Sequence, residues 1–322
     1  MPKNILLLET VADEAMNVLE SAQDMNILTG FDESSLQKQL SENQIDAIIT
    51  RGKGQVRANL MDVLPNLKVI SRCGVGLDNI EVTEATQRGI KVVNAPNSNA
   101  NTIAEHTISL LLVLQRNLYN AISMVKEDRW QDRSGYVGDE VNGKTLGILG
   151  MGNIGKKVAK IADALGMHII YWSAKEEAVP YPFLDLDTVL KTADCISLHL
   201  PLTKETENLI NATALAKMKP SALIINTARG KIIDQTALTE ALYANRLGGF
   251  ASDVLSEEPP KPNDPLLKLP NTYITAHVGS LTKTTYDFMC MFTVQNTLAI
   301  LRGEAPANNC IYNLKELNEP NR

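Results

Sequence analysis

Short apolar runs alternate with helical stretches along the chain, and the spacing of the two predicts its layout. In the first third, runs at 5–8, 25–28, 47–50, 69–71 and 91–93 read as strands, with helical segments such as 33–40 between them. Residues 99–125 read as one long helix, because Ile103, Thr107, Leu111, Leu114 and Leu118 recur at helical spacing. A looser stretch, 128–142, separates this helix from a second series of strands at 145–149, 168–171, 195–198, 222–226, 249–252 and 273–275. A last helix is predicted over 282–301. Strands alternating with helices predict parallel α/β sheets. Two series of strands predict two domains, with a cofactor domain starting near residue 100 and ending near 285.

Composition narrows the function classes. A length of 322 residues suits two domains of roughly 100–200 residues each. A net charge of −6 without basic runs argues against a nucleic-acid partner, and no apolar run approaches the roughly 20 residues that span a membrane. The N-terminus lacks the apolar core of a signal peptide and reads as a buried strand. Cys73, Cys195, Cys290 and Cys310 never form Cys-x-x-Cys, so they are expected as reduced thiols in a cytoplasmic protein. His106, His168, His199 and His277 do not cluster at ligand spacing, so no metal site is expected.

The first candidate chemistry is Gly150-Met151-Gly152-Asn153-Ile154-Gly155, between a predicted strand and a stretch of helical periodicity (Ile154, Val158, Ile161, Leu165). Strand, turn and helix in that order let turn amides and a helix N-terminus hold a pyrophosphate. Gly150 would make the tight turn, Gly152 let phosphate approach, and Gly155 let helix and strand pack. The same fingerprint places an acid about 20 residues on, at the end of the next strand, to bind the adenosine ribose. Here that strand is followed by Trp172-Ser173-Ala174-Lys175, and Glu176 and Glu177 come late. The missing acid leaves both NAD and NADP open as cofactor: Ser173 and Lys175 would tolerate an extra phosphate, and Trp172 could stack near the adenine.

Three further segments follow predicted strands. They are Asn226-Thr227-Ala228-Arg229-Gly230, a run from Ala251 to Pro259 containing Asp253 and Glu258, and Thr275-Ala276-His277-Val278-Gly279-Ser280. Strand ends of a parallel sheet share one edge, where ligands bind, so Arg229, Glu258 and His277 can converge. A histidine suits proton removal from an alcohol that loses hydride, a carboxylate orients it, and an arginine clamps a carboxylate. That set suits a 2-hydroxy acid or 2-keto acid.

In these motifs the chain resembles the D-2-hydroxyacid dehydrogenases over most of its length. The pieces run in order: Arg72-Cys73-Gly74-Val75-Gly76-Leu77-Asp78-Asn79, Asn94-Ala95-Pro96, Ala104-Glu105-His106, the glycine turn, Pro201-Leu202-Thr203, Asn226 to Gly230, Asp253-Val254, Glu258-Pro259 and His277. The resemblance implies two Rossmann-like or flavodoxin-like parallel-sheet domains, with a cofactor domain (99–285) inserted in a discontinuous substrate domain (1–98 and 286–322). It implies a homodimer built on the cofactor domains. It implies Arg229 as the substrate-binding arginine, His277 as acid/base and Glu258 as its partner, with Asp253 at the nicotinamide carboxamide. Val75 and Gly76 would offer amides to the substrate carboxylate. Pro201, Thr206, Thr227, Ala228 and Gly279 are expected along the cofactor with Gly150, Gly152, Asn153, Ile154, Gly155, Trp172, Ser173 and Lys175.

Within the family the chain is most similar to the D-3-phosphoglycerate dehydrogenases that feed serine synthesis, in a short form without a regulatory domain. Arg51 and Arg72 match the positions that hold the substrate phosphate there, and Lys53 adds charge. Arg133 is where a basic residue can reach a partner's cleft in such dimers. Glyoxylate or hydroxypyruvate reductases and D-lactate-type enzymes are the alternative, which the missing ribose acid fits slightly better. A remote one is an NAD(H)-sensing corepressor-like protein.

Overall fold

The computed structural model describes residues 2–319. They fall into two compact units, one reaching Asn99 and resuming at Leu281, the other spanning Ala100–Ser280. The cuts differ slightly from the expected 98/99 and 285/286. The C-terminal helix, Lys283–Arg302, belongs wholly to the first unit, so the crossing falls before it rather than inside it.

The first unit carries β1 (Lys3–Leu7), β2 (Met25–Thr29), β3 (Ala47–Thr50), β4 (Val69–Arg72) and β5 (Lys91–Val93). They form one parallel sheet in the order β2-β1-β3-β4-β5, the doubly wound order of flavodoxin-like domains. Alternate residues of β1 enter opposite cores: Ile5 and Leu7 join Leu19, Val294 and Leu298, while Leu6 joins Ile48, Ile70 and Val92. Each such fully buried side chain contributes about 1.5–3 kcal/mol, which is why both sheet faces carry helices.

The second unit carries β6 (Thr145–Leu149), β7 (His168–Trp172), β8 (Cys195–Leu198), β9 (Leu223–Asn226), β10 (Gly249–Ser252) and β11 (Thr272–Ile274), all parallel, in the order β11-β10-β9-β8-β6-β7. Where a dinucleotide-binding sheet places one more strand outside β7, this chain has a single parallel bridge, Tyr171 to Phe183. Gly147 in β6 is a packing requirement, since a Cβ there would meet Val189 Cγ1 at 2.7 Å and Ile196 Cδ1 at 2.8 Å.

The predicted single helix over 99–125 is two helices, Ala100–Gln115 and Leu118–Lys126, bent by 66°. The break is at Asn117, whose φ of 50° lies in the left-handed region that asparagine tolerates better than most residues. Its side chain is held from three sides: it donates to the Val137 carbonyl at 3.2 Å and accepts from Asn120 at 2.6 Å and Tyr273 at 3.0 Å. The second helix buries no residue and leaves Tyr119, Ile122 and Val125 exposed. Among the described residues no single helix is long and apolar enough to cross a membrane, although this bent pair passes together on length and composition. The four cysteines are buried free thiols, and no group of three or more metal-ligating side chains occurs among the described residues.

Candidate active site

In the second unit, β6 ends in the glycine turn. Gly150 takes φ 102°, and a Cβ there would press on the His199 carbonyl oxygen at 2.5 Å. Its amide donates to the Trp172 carbonyl at 2.8 Å, which ties the turn to the end of β7. At Gly155 a Cβ would overlap the Gly150 carbonyl, so this glycine lets the helix Asn153–Ala164 sit against the strand. Gly152 is different. A Cβ there would meet nothing within 4 Å, and no side chain caps the helix it precedes. An open approach to an uncapped helix N-terminus fits a pyrophosphate, so these residues suit a dinucleotide.

Past β7, Trp172 packs partly against the core and Ser173 is half-buried. Lys175 is exposed and lies 3.7 Å from Glu177. Glu177 also accepts from Lys156 Nζ at 2.7 Å, and that hydrogen bond holds its carboxyl below the usual range. The late acid is therefore neutralised by a lysine two residues into the helix from Ile154. Beyond β8, Thr206 closes a turn by donating to the Pro201 carbonyl at 2.6 Å and accepting from the Thr203 amide at 2.8 Å. Burial pushes His199 down to about 3, so it is neutral, and among the described residues its ring bonds only Ser197 Oγ, at 2.8 Å.

The three strand-end segments converge. His277 Nδ1 and Glu258 Oε2 are 2.7 Å apart, and Glu258 Oε1 accepts from the Leu255 amide at 2.9 Å. The bond to Glu258 raises the His277 pKa above its ordinary value against the opposing effect of burial. Burial pushes the Glu258 carboxyl up, but His277 and the Leu255 amide outweigh it and hold it low. With Nδ1 engaged, Nε2 is the ring atom left to exchange a proton with a ligand. His277 sits at φ 53°, a conformation costing roughly 1–2 kcal/mol that its neighbours must hold.

Arg229 follows β9, and its turn is fixed by Asn226, which accepts from the Ala228 amide at 3.0 Å and donates to the Arg229 carbonyl at 3.0 Å. Thr227 is buried against Thr107 at 2.8 Å. Gly230 lies so close to the backbone of Leu255 and Ser256 that a Cβ would overlap it. The arginine turn is thereby seated on the segment whose amide holds Glu258. The single glycine after Arg229 was the available signal for this contact.

Asp253, almost fully buried, accepts from the amides of Val278 at 2.9 Å and Gly279 at 2.8 Å and from Thr275 Oγ1 at 2.5 Å. Burial raises its carboxyl, but His106, Thr275 and the two amides together hold it below its usual range. Much of its acceptor capacity thus goes to the loop that carries His277. This contact was not legible in the sequence.

The remaining expected residues lie in the first unit. Glu9, at the end of β1, takes the consecutive amides of Arg51, Gly52, Lys53 and Gly54 on its carboxylate at 2.6–3.2 Å. Burial raises the Glu9 carboxyl, but those amides outweigh it. Arg51 Nε is 3.9 Å from Glu9, its guanidinium lies 5.3 Å from the centre of the Tyr286 ring, and Lys53 is exposed. Arg72 folds back over Gly74. Asn94 donates to the Val75 carbonyl at 2.7 Å, while the amides of Val75 and Gly76 bond no group among the described residues.

Residues 108–279 match the family described as D-isomer specific 2-hydroxyacid dehydrogenase, NAD binding domain. The chain belongs to the D-isomer specific 2-hydroxyacid dehydrogenases. It is 36% identical over 313 residues to D-3-phosphoglycerate dehydrogenase of Archaeoglobus fulgidus, covering 95% of this chain and 59% of that one. It is 40% identical over 274 residues to hydroxypyruvate reductase of Thermotoga maritima, covering 84% and 89%. The TT0316 protein of Thermus thermophilus superposes with a TM-score of 0.89 at 36% identity, covering 95% of this chain and 99% of that one. The chain spans less than two thirds of the length of the phosphoglycerate dehydrogenases it matches.

Proposed function

We propose that this protein transfers hydride between a nicotinamide dinucleotide and the C2 position of a D-2-hydroxy acid or 2-keto acid. The observation that carries the reading is the Glu258–His277 pair seated on the Gly230 turn that presents Arg229. The glycine turn would hold the pyrophosphate of a nicotinamide dinucleotide, whose ring would supply or accept the hydride. Arg229 would clamp the substrate carboxylate through paired N–H donors. His277 Nε2 would take the hydroxyl proton on oxidation and return it to the forming alkoxide on reduction, while Glu258 holds the ring and steadies its charged form. Val75 and Gly76 would add amide donors to the carboxylate, and the loop past β7, with no acid at Ser173, supports use of NADP as well as NAD.

For the substrate, the cations Arg51, Lys53 and Arg72 on the first unit support 3-phosphoglycerate and its keto form. A second reading has its own observation. Glu9 already occupies the amides of residues 51–54 and sits beside Arg51, which favours an unphosphorylated acid such as glyoxylate or hydroxypyruvate. Reduction of 3-phosphohydroxypyruvate, hydroxypyruvate, glyoxylate and pyruvate, each with NADH and NADPH, decides between them. Turnover confined to unphosphorylated acids rules out the first reading, and no turnover of any rules out both. We further propose a homodimer through the second unit, supported by the exposed apolar side of Leu118–Lys126 next to Trp130 and Arg133. A monomer in solution scattering rules it out.

A further inference from the structure

We propose that His106 is a positioning residue for His277, acting through Thr275 and Asp253. The proposal rests on the dehydrogenase reading of the site. His106 stands on the helix Ala100–Gln115, far in sequence from the loop it meets. Its Nε2 is 3.0 Å from Thr275 Oγ1 and 3.4 Å from Asp253 Oδ1. Its ring also lies against Gly279, where a Cβ would meet His106 Cδ2 at 3.1 Å and Asp253 Oδ2 at 2.7 Å. The side chain thus touches the first and last parts of the segment 275–279 that displays His277.

Counting protons fixes the direction of the chain of bonds. Asp253 is ionised and only accepts. Thr275 has one hydroxyl proton, and its 2.5 Å bond to Asp253 uses it. Thr275 must therefore accept from His106, so His106 carries its proton on Nε2. Asp253 then gathers Val278 and Gly279, and the His277 amide donates to the Thr275 carbonyl at 3.0 Å. The result is a loop held at both ends while His277 keeps its left-handed backbone. A ring displaced from Glu258 loses the bond that raises its titration. The charged groups around His277 are Glu258, Asp253 and Arg229, and none of them is changed in the test.

The test compares His106→Leu, which keeps the bulk and removes the donor, with His106→Gln, whose amide can still donate to Thr275. With four histidines in the chain, the His277 ring signal can be followed through a pH titration by NMR without substrate. We expect His277 in His106→Leu to titrate at lower pH than in the wild type, and His106→Gln to restore it. For any 2-keto acid the enzyme turns over, kcat should fall by about 10- to 100-fold in His106→Leu with KM changed far less, as displacement of a reacting group predicts. An unchanged His277 titration in folded His106→Leu overturns the proposal. If His106→Leu does not fold, Thr275→Val removes the same link and is read in the same way. A protein without turnover on any keto acid fails the dehydrogenase reading, while the NMR titration still decides the positioning role.

Discussion

Gly230 offers the sharpest test of how the site is built. Replacing it with alanine places a methyl group inside the contact envelope of the Leu255 carbonyl and the Ser256 nitrogen, both backbone atoms with no side chain to swing away. Carbon atoms settle at about 3.5–4 Å, so one of the two backbones must retreat by more than about 1 Å. If the Gly230 side yields, Arg229 moves. If the Leu255 side yields, the amide that holds Glu258 at 2.9 Å moves and carries the His277 partner with it. A shift of that size costs on the order of 100-fold in rate, or about 2.7 kcal/mol of activation free energy. Overpacking separately costs about 1–3 kcal/mol of stability, a fall of roughly 2–12 °C in melting temperature for a unit of this size. The assay is kcat/KM for the preferred keto acid at 25 °C, beside a thermal melt that shows the variant folded at that temperature. A folded Gly230→Ala variant with kcat/KM within about threefold of wild type would refute the reasoning, since no displacement near 1 Å is compatible with it.

Other outcomes follow from the same geometry. Gly152→Ala meets no neighbour, so its melting temperature should match wild type while the dissociation constant for the dinucleotide rises about tenfold or more; equal affinity would remove Gly152 from the phosphate site. With His277 in its proposed acid/base role, reduction would need the imidazolium and oxidation the neutral ring. The raised pKa therefore extends keto-acid reduction to higher pH, and oxidation is lost as pH falls through the same value. Glu258→Gln removes the main cause of the raised pKa, so the alkaline loss of reduction should move to lower pH in initial-rate profiles; a profile that stays in place would break the assignment. Lys156→Ala frees Glu177 from its closest partner, and the ratio of NADPH to NADH efficiency should fall by several-fold; an unchanged ratio would show that the 2′-phosphate does not reach this pair.

Much of this layout is readable from the chain because the relevant signals are local. The eleven strands among the described residues lie close to apolar runs, and those buried on both faces have to be written as such runs. The glycine turn is legible because each constraint falls on a residue within a few positions of the others. The helix break at Asn117 is not, because what selects it comes from Val137 and Tyr273, and the apolar period runs across it unbroken to Leu118. In water that period marks a buried stripe, but the second helix buries none of it, so the same pattern serves a surface.

Two carboxylates, one in each unit, show where single-residue reading stops. Glu9 and Asp253 each look like an acid near a strand end, and the sequence assigns the first no role and the second a contact with cofactor. In the structure both collect backbone amides, Glu9 from residues 51–54 and Asp253 from residues 278 and 279. Main-chain donors carry no residue identity, so nothing in the composition of either loop announces that it needs an anion. The loops that present Arg51 and His277 are thus shaped by charges placed elsewhere in the chain. On the proposed phosphate-binding reading, the Arg51 loop has its amides already spent on Glu9, so an anion bound there would be held by side-chain cations alone. A phosphorylated substrate would have to recover from Arg51, Lys53 and Arg72 what the loop amides no longer offer, and whether it does separates the two substrate readings.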